Sequence, residues 1–252
     1  YYAPDLYDPR CGIIQALGTK GKNKDLPIVT LVNYAIHPEV IGNDQGILSP
    51  DLIGPLYDRI EARAGGTALF MNGAQGGMVT ADNRRDNNKE ANDWEECKRI
   101  GNLLADEALR ILAEAEIQED PVLFCTSAQA QFPIDSEMMR YILNNSPLKM
   151  SNSDQFINTT LNLLNIGTAQ ILTIPGEALP NIGYYLKRNM PTEHPFLFGL
   201  TNDAFGYILT KEDYNSFKKY AYVSKTSLGE RTAEILIKEL LTVIQNSPKP
   251  NK

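Results

Sequence analysis

The sequence predicts an α/β fold, a mixed sheet with helices packed on its faces and a functional site at the carboxyl ends of its strands. Three observations predict it. Short β-branched or apolar runs at residues 27–35, 67–72 and 167–174 alternate with stretches of helical period. Each run ends in a loop rich in Gly, Asn, Asp or Pro. The strand, loop, helix order recurs at least three times, as in α/β proteins whose sites lie beyond the strand ends.

The elements follow in order. Residues 1–26 are polar and turn-rich, apart from an apolar stretch at 11–17. The strand at 27–35 runs into Ile36-His37-Pro38, where the proline keeps His37 out of a helix. Ser49-Pro50-Asp51 opens a helix reaching about Arg63, with Ser49 as cap and Pro50 at the first helical position, and Gly65-Gly66 stops it. The strand at 67–72 enters a glycine-rich loop at 73–82. Residues 89–116 form the longest helical pattern, with Trp94, Ile100, Leu103, Leu104, Ala108, Ile111 and Leu112 as its apolar stripe. A strand at 122–132 precedes two shorter helices at 135–145 and 151–164. The strand at 167–174 ends in Pro175-Gly176-Glu177 and leads to a helix at 179–188. A strand at 196–200 is followed by the loop 201–208, and a last helix at 228–244 buries Ala233, Leu236, Ile237, Leu240 and Leu241. Neither a repeat nor a low-complexity linker interrupts the chain, so residues 1–252 read as a single α/β domain.

Composition narrows the functions. A formal net charge of −7 without a basic tract argues against nucleic acid, whose phosphates need a Lys/Arg surface. No apolar run approaches the roughly 18 residues of a membrane span. The opening Tyr1-Tyr2-Ala3-Pro4-Asp5 has no charged or apolar signal region. Cys11, Cys97 and Cys125 form no CxxC pair, and at least two of them are expected to be buried thiols.

Four strand-end segments carry candidate chemistry. His37 is one of two histidines and stands at the end of a buried strand, a position suited to metal ligation or general-base work. The alternative is a hydrogen-bonded structural histidine. Glu177 follows a strand on a glycine turn, and otherwise serves as a charge near a helix N-terminus. Tyr207 closes Asn202-Asp203-Ala204-Phe205-Gly206-Tyr207, where it either ligates a metal, donates to an oxyanion or is a core aromatic. The loop with Gly73, Gly76 and Gly77 lets backbone approach a ligand closely, yet matches neither a P-loop nor a dinucleotide fingerprint. There is no Gly-x-Ser-x-Gly elbow. His194, just before a strand at its opposite end, reads as a surface turn residue.

In order and spacing, Asn33-Tyr34-Ala35-Ile36-His37-Pro38, Phe70-Met71-Asn72-Gly73-Ala74-Gln75-Gly76-Gly77, Ile174-Pro175-Gly176-Glu177 and Gly199–Tyr207 resemble the neutral/alkaline ceramidases. Glu212-Asp213-Tyr214 and Ser227-Leu228-Gly229 fit the same pattern. The resemblance covers residues 8 to 245 and implies the later part of that family's catalytic domain. It implies a zinc-dependent amide hydrolase acting on an N-acyl or lipid amide of sphingolipid type. Zinc would be held by His37, Glu177 and Tyr207, with Gly76, Gly77 and Thr80 facing the substrate. It also implies secretion or a periplasmic location. The family's first histidine ligand and a site arginine lie upstream of the matched region, so the partner expected for this chain is the preceding segment of the same protein. Where the family carries a catalytic serine, this chain has Val79, with Thr80 beside it. The other reading is a non-catalytic relative that binds a lipid or glycan head group.

Overall fold

The computed structural model describes residues 6–44, 46–77, 79–85, 88–147, 155–218 and 221–251. Within the region expected as one domain, the chain forms two compact units interleaved along the sequence. The larger comprises Tyr1–Asp8, Asn72–Gly77 and Gln118–Lys252; the smaller comprises Pro9–Met71 and Met78–Ile117. The architecture is mixed α/β, as the sequence predicts.

The smaller unit carries a three-stranded sheet in the order β1 (Gly12–Leu17), β2 (Pro27–Tyr34) and β3 (Thr67–Asn72), with helices α1 (Ile53–Ala64) and α2 (Trp94–Glu114). The apolar stretch at 11–17 is strand β1, antiparallel to β2, with Gly12 opposite Asn33 and Ala16 opposite Val29.

Helix α1 begins later than expected, and Ser49 does not cap it. Asp51 does the work instead. Its buried carboxylate accepts from the N–H groups of Val40, Ile41 and Leu52 at 3.0, 2.9 and 2.7 Å, while Ser49 Oγ accepts from Asp51 N–H at 2.9 Å. One side chain thus ties the segment after His37 to the start of α1.

Helix α2 is capped by Asp93, which accepts from Glu96 N–H at 2.9 Å. Its buried face is Glu96, Cys97, Gly101, Ala105 and Ala108, whereas Trp94 and Leu103 of the expected stripe are exposed. The cause is close helix packing. A Cβ on Gly101 would stand 2.3 Å from the Leu52 carbonyl, so only small side chains fit against α1. Arg59 of α1 donates to both carboxylate oxygens of Asp106 of α2, at 2.6 and 2.8 Å.

The larger unit carries a four-stranded sheet in the order β4 (Leu123–Pro133), β5 (Phe156–Ile166), β6 (Ala169–Thr173) and, two strands further along the chain, β8 (His194–Phe198). The β4–β5 and β5–β6 pairs are antiparallel and the β6–β8 pair is parallel. Strand β5 corrects the helix expected at 151–164, whose first residues lie outside the described ones. Ile157, Leu161 and Leu164 have helical spacing, but the burial alternates residue by residue, with Ile157, Thr159, Leu161, Leu163 and Asn165 inside. Eleven register pairs with β4, from Leu123–Ile166 to Pro133–Phe156, decide the matter. Non-local pairing outweighs local propensity here.

Between β6 and β8 lie β7 (Glu177–Ala178) and α4 (Pro180–Asn189); α3 (Glu137–Asn145) follows β4. Strand β9 (Tyr207–Ile208), α5 (Ala221–Lys225) and α6 (Thr232–Gln245) complete the unit. Its core joins Phe132, Leu161, Leu163, Leu172, Ile174, Leu186 and Leu197 to Ala233, Leu236 and Leu240 of α6. Ile237 and Leu241, expected to be buried, are only partly so and pack at the margin. Near the chain start, Lys187 Nζ of α4 pairs with Asp8 Oδ2 at 2.8 Å, with 10% and 7% of the two side chains exposed, and Tyr184 Oη donates to the Tyr7 carbonyl at 2.7 Å. No helix among the described residues is long and apolar enough to cross a membrane.

All three cysteines are free, and only Cys97 is buried; Cys11 is half-buried and Cys125 exposed. Burial, reinforced by Glu107, pushes the Cys11 thiol up to about 12, and burial with Asp51 nearby pushes Cys97 up to about 11. Neither is a thiolate at neutral pH, so neither is primed as a nucleophile.

Candidate functional site

The candidate residues fall into two groups, each inside one compact unit. Glu177, Tyr207, Gly76 and Gly77 belong to the larger unit, and His37 and Thr80 to the smaller.

In the larger unit, the strand β6 ends at Thr173 and Pro175-Gly176 turns the chain into β7. The loop 201–206 does the same before β9. These two-residue strands pair in parallel, with Glu177 opposite Tyr207 and Ala178 opposite Ile208. Register partners in a parallel pair share a face, so a carboxylate and a phenol stand on neighbouring strands, roughly 4.8 Å apart along the hydrogen-bonding direction. Tyr207 is buried and Glu177 half-buried.

Backbone bonds clamp the pair on every side. Glu177 N–H donates to Gly206 O at 2.9 Å, Leu179 N–H to Ile208 O at 3.0 Å, and Phe205 N–H to Pro175 O at 2.8 Å. Tyr207 N–H donates to Thr226 O at 3.1 Å, and the Tyr222 ring meets the Tyr207 ring edge-on at 6.0 Å between centroids. Gly206 has φ +76°, and a Cβ there would lie 2.0 Å from the Thr226 carbonyl. The motif needs glycine at this position on both counts.

The glycine loop packs onto the same strand. Gly76 N–H donates to Ala178 O at 2.8 Å, and a Cβ on Gly76 would fall 2.2 Å from the Glu177 carbonyl. The close approach of backbone expected for this loop is therefore toward β7. Gly77 has φ +79°.

In the smaller unit, His37 lies beyond β2, half-buried, and forms a parallel bridge with Thr80. Its N–H donates to Val79 O at 2.8 Å, and Nδ1 lies 2.9 Å from the same oxygen. A carbonyl only accepts, so Nδ1 carries the proton and Nε2 carries the lone pair of the neutral ring. That tautomer suits a metal ligand or a base, because the second nitrogen is oriented by the first. Thr80 is exposed.

Sequence reasoning missed the Val79 carbonyl, Tyr222 and Thr226. Two of these act through backbone oxygen, which leaves no side-chain signature. His194 is exposed, and it opens β8 opposite Ala169 as a strand residue rather than a turn residue. Among the described residues no three His, Cys, Asp or Glu side chains gather into a metal-holding group. The set His37, Glu177 and Tyr207 contains only two residues of those types.

No protein-family model and no curated protein sequence matches the chain. Solved structures do. The fold is similar to that of neutral ceramidase from Pseudomonas aeruginosa, with a TM-score of 0.71 and 14% identity over 99% of this chain and 50% of that one. A ceramidase structure described as complexed with C2 gives 0.69 and 14% over 98% and 50%. The chain thus spans about half the length of the ceramidase chains it matches.

Proposed function

We propose that this chain carries part of the centre of a zinc-dependent amide hydrolase of ceramidase type, acting on an N-acyl or lipid amide. The observation that carries the reading is the β7–β9 pair, which sets Glu177 beside Tyr207 in register. The sequence resemblance assigns the family's carboxylate and tyrosine ligands to these two residues. The ceramidase-like fold supports the same assignment.

The donor types fit zinc: one imidazole nitrogen from His37, one carboxylate from Glu177 and one phenol from Tyr207. Zinc, when bound, supplies Lewis acidity that polarises an amide carbonyl and acidifies water. The chain's own residues do the rest. Val79 O holds the His37 ring with Nε2 as the ligating nitrogen. Backbone bonds hold Glu177 and Tyr207 in fixed register across β7 and β9, a preorganisation of the kind that a catalytic centre requires. Gly76 admits the backbone of its loop against β7, so that the loop lines the site without a side chain there.

The test is zinc stoichiometry by elemental analysis, on this chain and on a longer chain that includes the upstream residues. About one zinc per molecule is expected, lost in Glu177→Ala and His37→Ala, with amide hydrolysis lost alongside. Absence of zinc from both chains would overturn the reading.

One observation favours the second reading, a non-catalytic relative that binds a lipid or glycan head group. Val79 stands where the family has its serine, and its carbonyl is engaged by His37. A thermal shift with an N-acyl lipid, without turnover in the zinc-loaded longer chain, would select that reading.

A further inference from the structure

Gln75 is 3% exposed, and its Oε1 is buried without a hydrogen-bond partner. A buried amide oxygen with no donor is rare in folded proteins and costs stability unless something beyond the chain supplies the donor. One other such side-chain atom occurs among the described residues, Gln170 Oε1. Its context differs. Gln170 Nε2 donates to Asn165 Oδ1 at 3.0 Å, and Asn165 Nδ2 donates to the Pro248 carbonyl at 2.9 Å, a polar cluster that ties the end of the chain to the sheet.

Gln75 has no such structural employment. It sits in the glycine loop, one peptide bond from Gly76, whose N–H is bonded to the carbonyl of Ala178, the residue after Glu177. The loop is held tightly on both sides of it: Gln75 N–H donates to Gly73 O at 3.1 Å, and Gly76 leaves no room for a Cβ against Glu177. An unsatisfied acceptor on a fixed backbone, in a loop packed against the strand of a proposed metal ligand, is what a recognition element looks like before its ligand arrives.

We propose that Gln75 reads the amide of the substrate, Oε1 accepting its N–H. The inference rests on the hydrolase reading above and narrows its substrate class to secondary amides. An N-acyl amide that keeps its N–H is taken in preference to an ester or an N-alkylated amide of the same size. A group built to pair with an N–H rejects the analogue that lacks it far more strongly than an apolar pocket rejects a methyl group, because the protein's own polar atom is then left unpaired.

The experiment is calorimetric titration of the zinc-supplied chain with N-hexanoyl ethanolamine, its N-methyl derivative and the matching hexanoate ester. Wild type is expected to bind the secondary amide roughly tenfold to a hundredfold more tightly than either analogue. Gln75→Leu and the more conservative Gln75→Met should both erase that preference while keeping weak binding of all three. A preference absent from wild type, or unchanged in a folded variant, overturns the proposal; that is also the outcome if Oε1 merely holds a buried water. Repeating the titration with chelator separates the two readings. A preference that survives without any zinc stoichiometry upholds the role of Gln75 and removes the hydrolase. Zinc binding without a preference does the reverse.

Discussion

Glu177 and Tyr207 stand in a ladder, with backbone bonds on both flanks and glycines at the two points where chains cross most closely. His37 and Thr80 share an isolated bridge, where the Val79 carbonyl accepts from the His37 backbone N–H and faces its Nδ1. The first pair is positioned by architecture, so its geometry is as stable as the larger unit. The second is positioned by a loop, and its geometry depends on the tautomer of one ring. The proposed oxygen ligands are thus built in, whereas the proposed nitrogen ligand is set by a local and adjustable contact.

The largest effect should come from breaking the ladder. Gly206→Ala places a methyl group against the Thr226 carbonyl and forces a left-handed backbone, which should cost roughly 3 kcal/mol in total. Denaturant unfolding reads it, and a midpoint equal to wild type would mean that the clamp yields easily. A smaller effect should come from the bridge. His37→Ala removes the ring contact to Val79 O and should cost about 1 kcal/mol, confined to the segment. Hydrogen exchange at the residue 37 amide should quicken by about fivefold, while protection in β4 and β5 stays unchanged. Equal loosening of both regions would show that the effect is not confined to the segment.

The smallest effect concerns acid. Glu96 has 4% of its side chain exposed, and the hydrogen-bonded Arg99, helped by Arg85, holds its carboxyl below the usual 4.5. A depressed folded value means that the carboxylate form favours the folded state. This contribution is complete above about pH 4.5 and is lost as the pH falls through the lower folded value. Wild-type thermal stability should therefore decline below about pH 4.5, and Glu96→Gln should flatten that part of the decline. An unaltered acid limb would place the sensitivity elsewhere.

Much of this was legible in the sequence, and the part that was not has physical reasons. Strands β2, β3, β6 and β8 and helices α2, α4 and α6 announce themselves through local periodicity. His37 and Glu177 stand out because an ionisable residue follows an apolar strand. Strand β5 misleads because its leucines also fit a helix, and only its partners in β4 and β6 disclose the true period. The face of α2 misleads for a related reason: large residues suggest a core, but Gly101 and the contact with Leu52 show that small ones make it. The pairing of Glu177 with Tyr207 joins residues of two different loops through strands of two residues each, too short for any pattern. The role of the Val79 carbonyl is invisible in principle, since every residue has that atom.

The salt bridge between Asp8 and Lys187 has a consequence in time. The two residues are separated by 179 positions in the chain. At a synthesis rate of roughly 5–20 residues per second, Asp8 waits about ten to forty seconds for its partner to be made. Meanwhile the Pro9–Met71 and Met78–Ile117 segments of the smaller unit are already complete. Newly made chains thus hold Asp8 without Lys187, and the larger unit unfinished, when every segment of the smaller unit has already been made. Slowing translation beyond residue 117 should lengthen that interval and raise the demand for chaperones that shelter nascent chains.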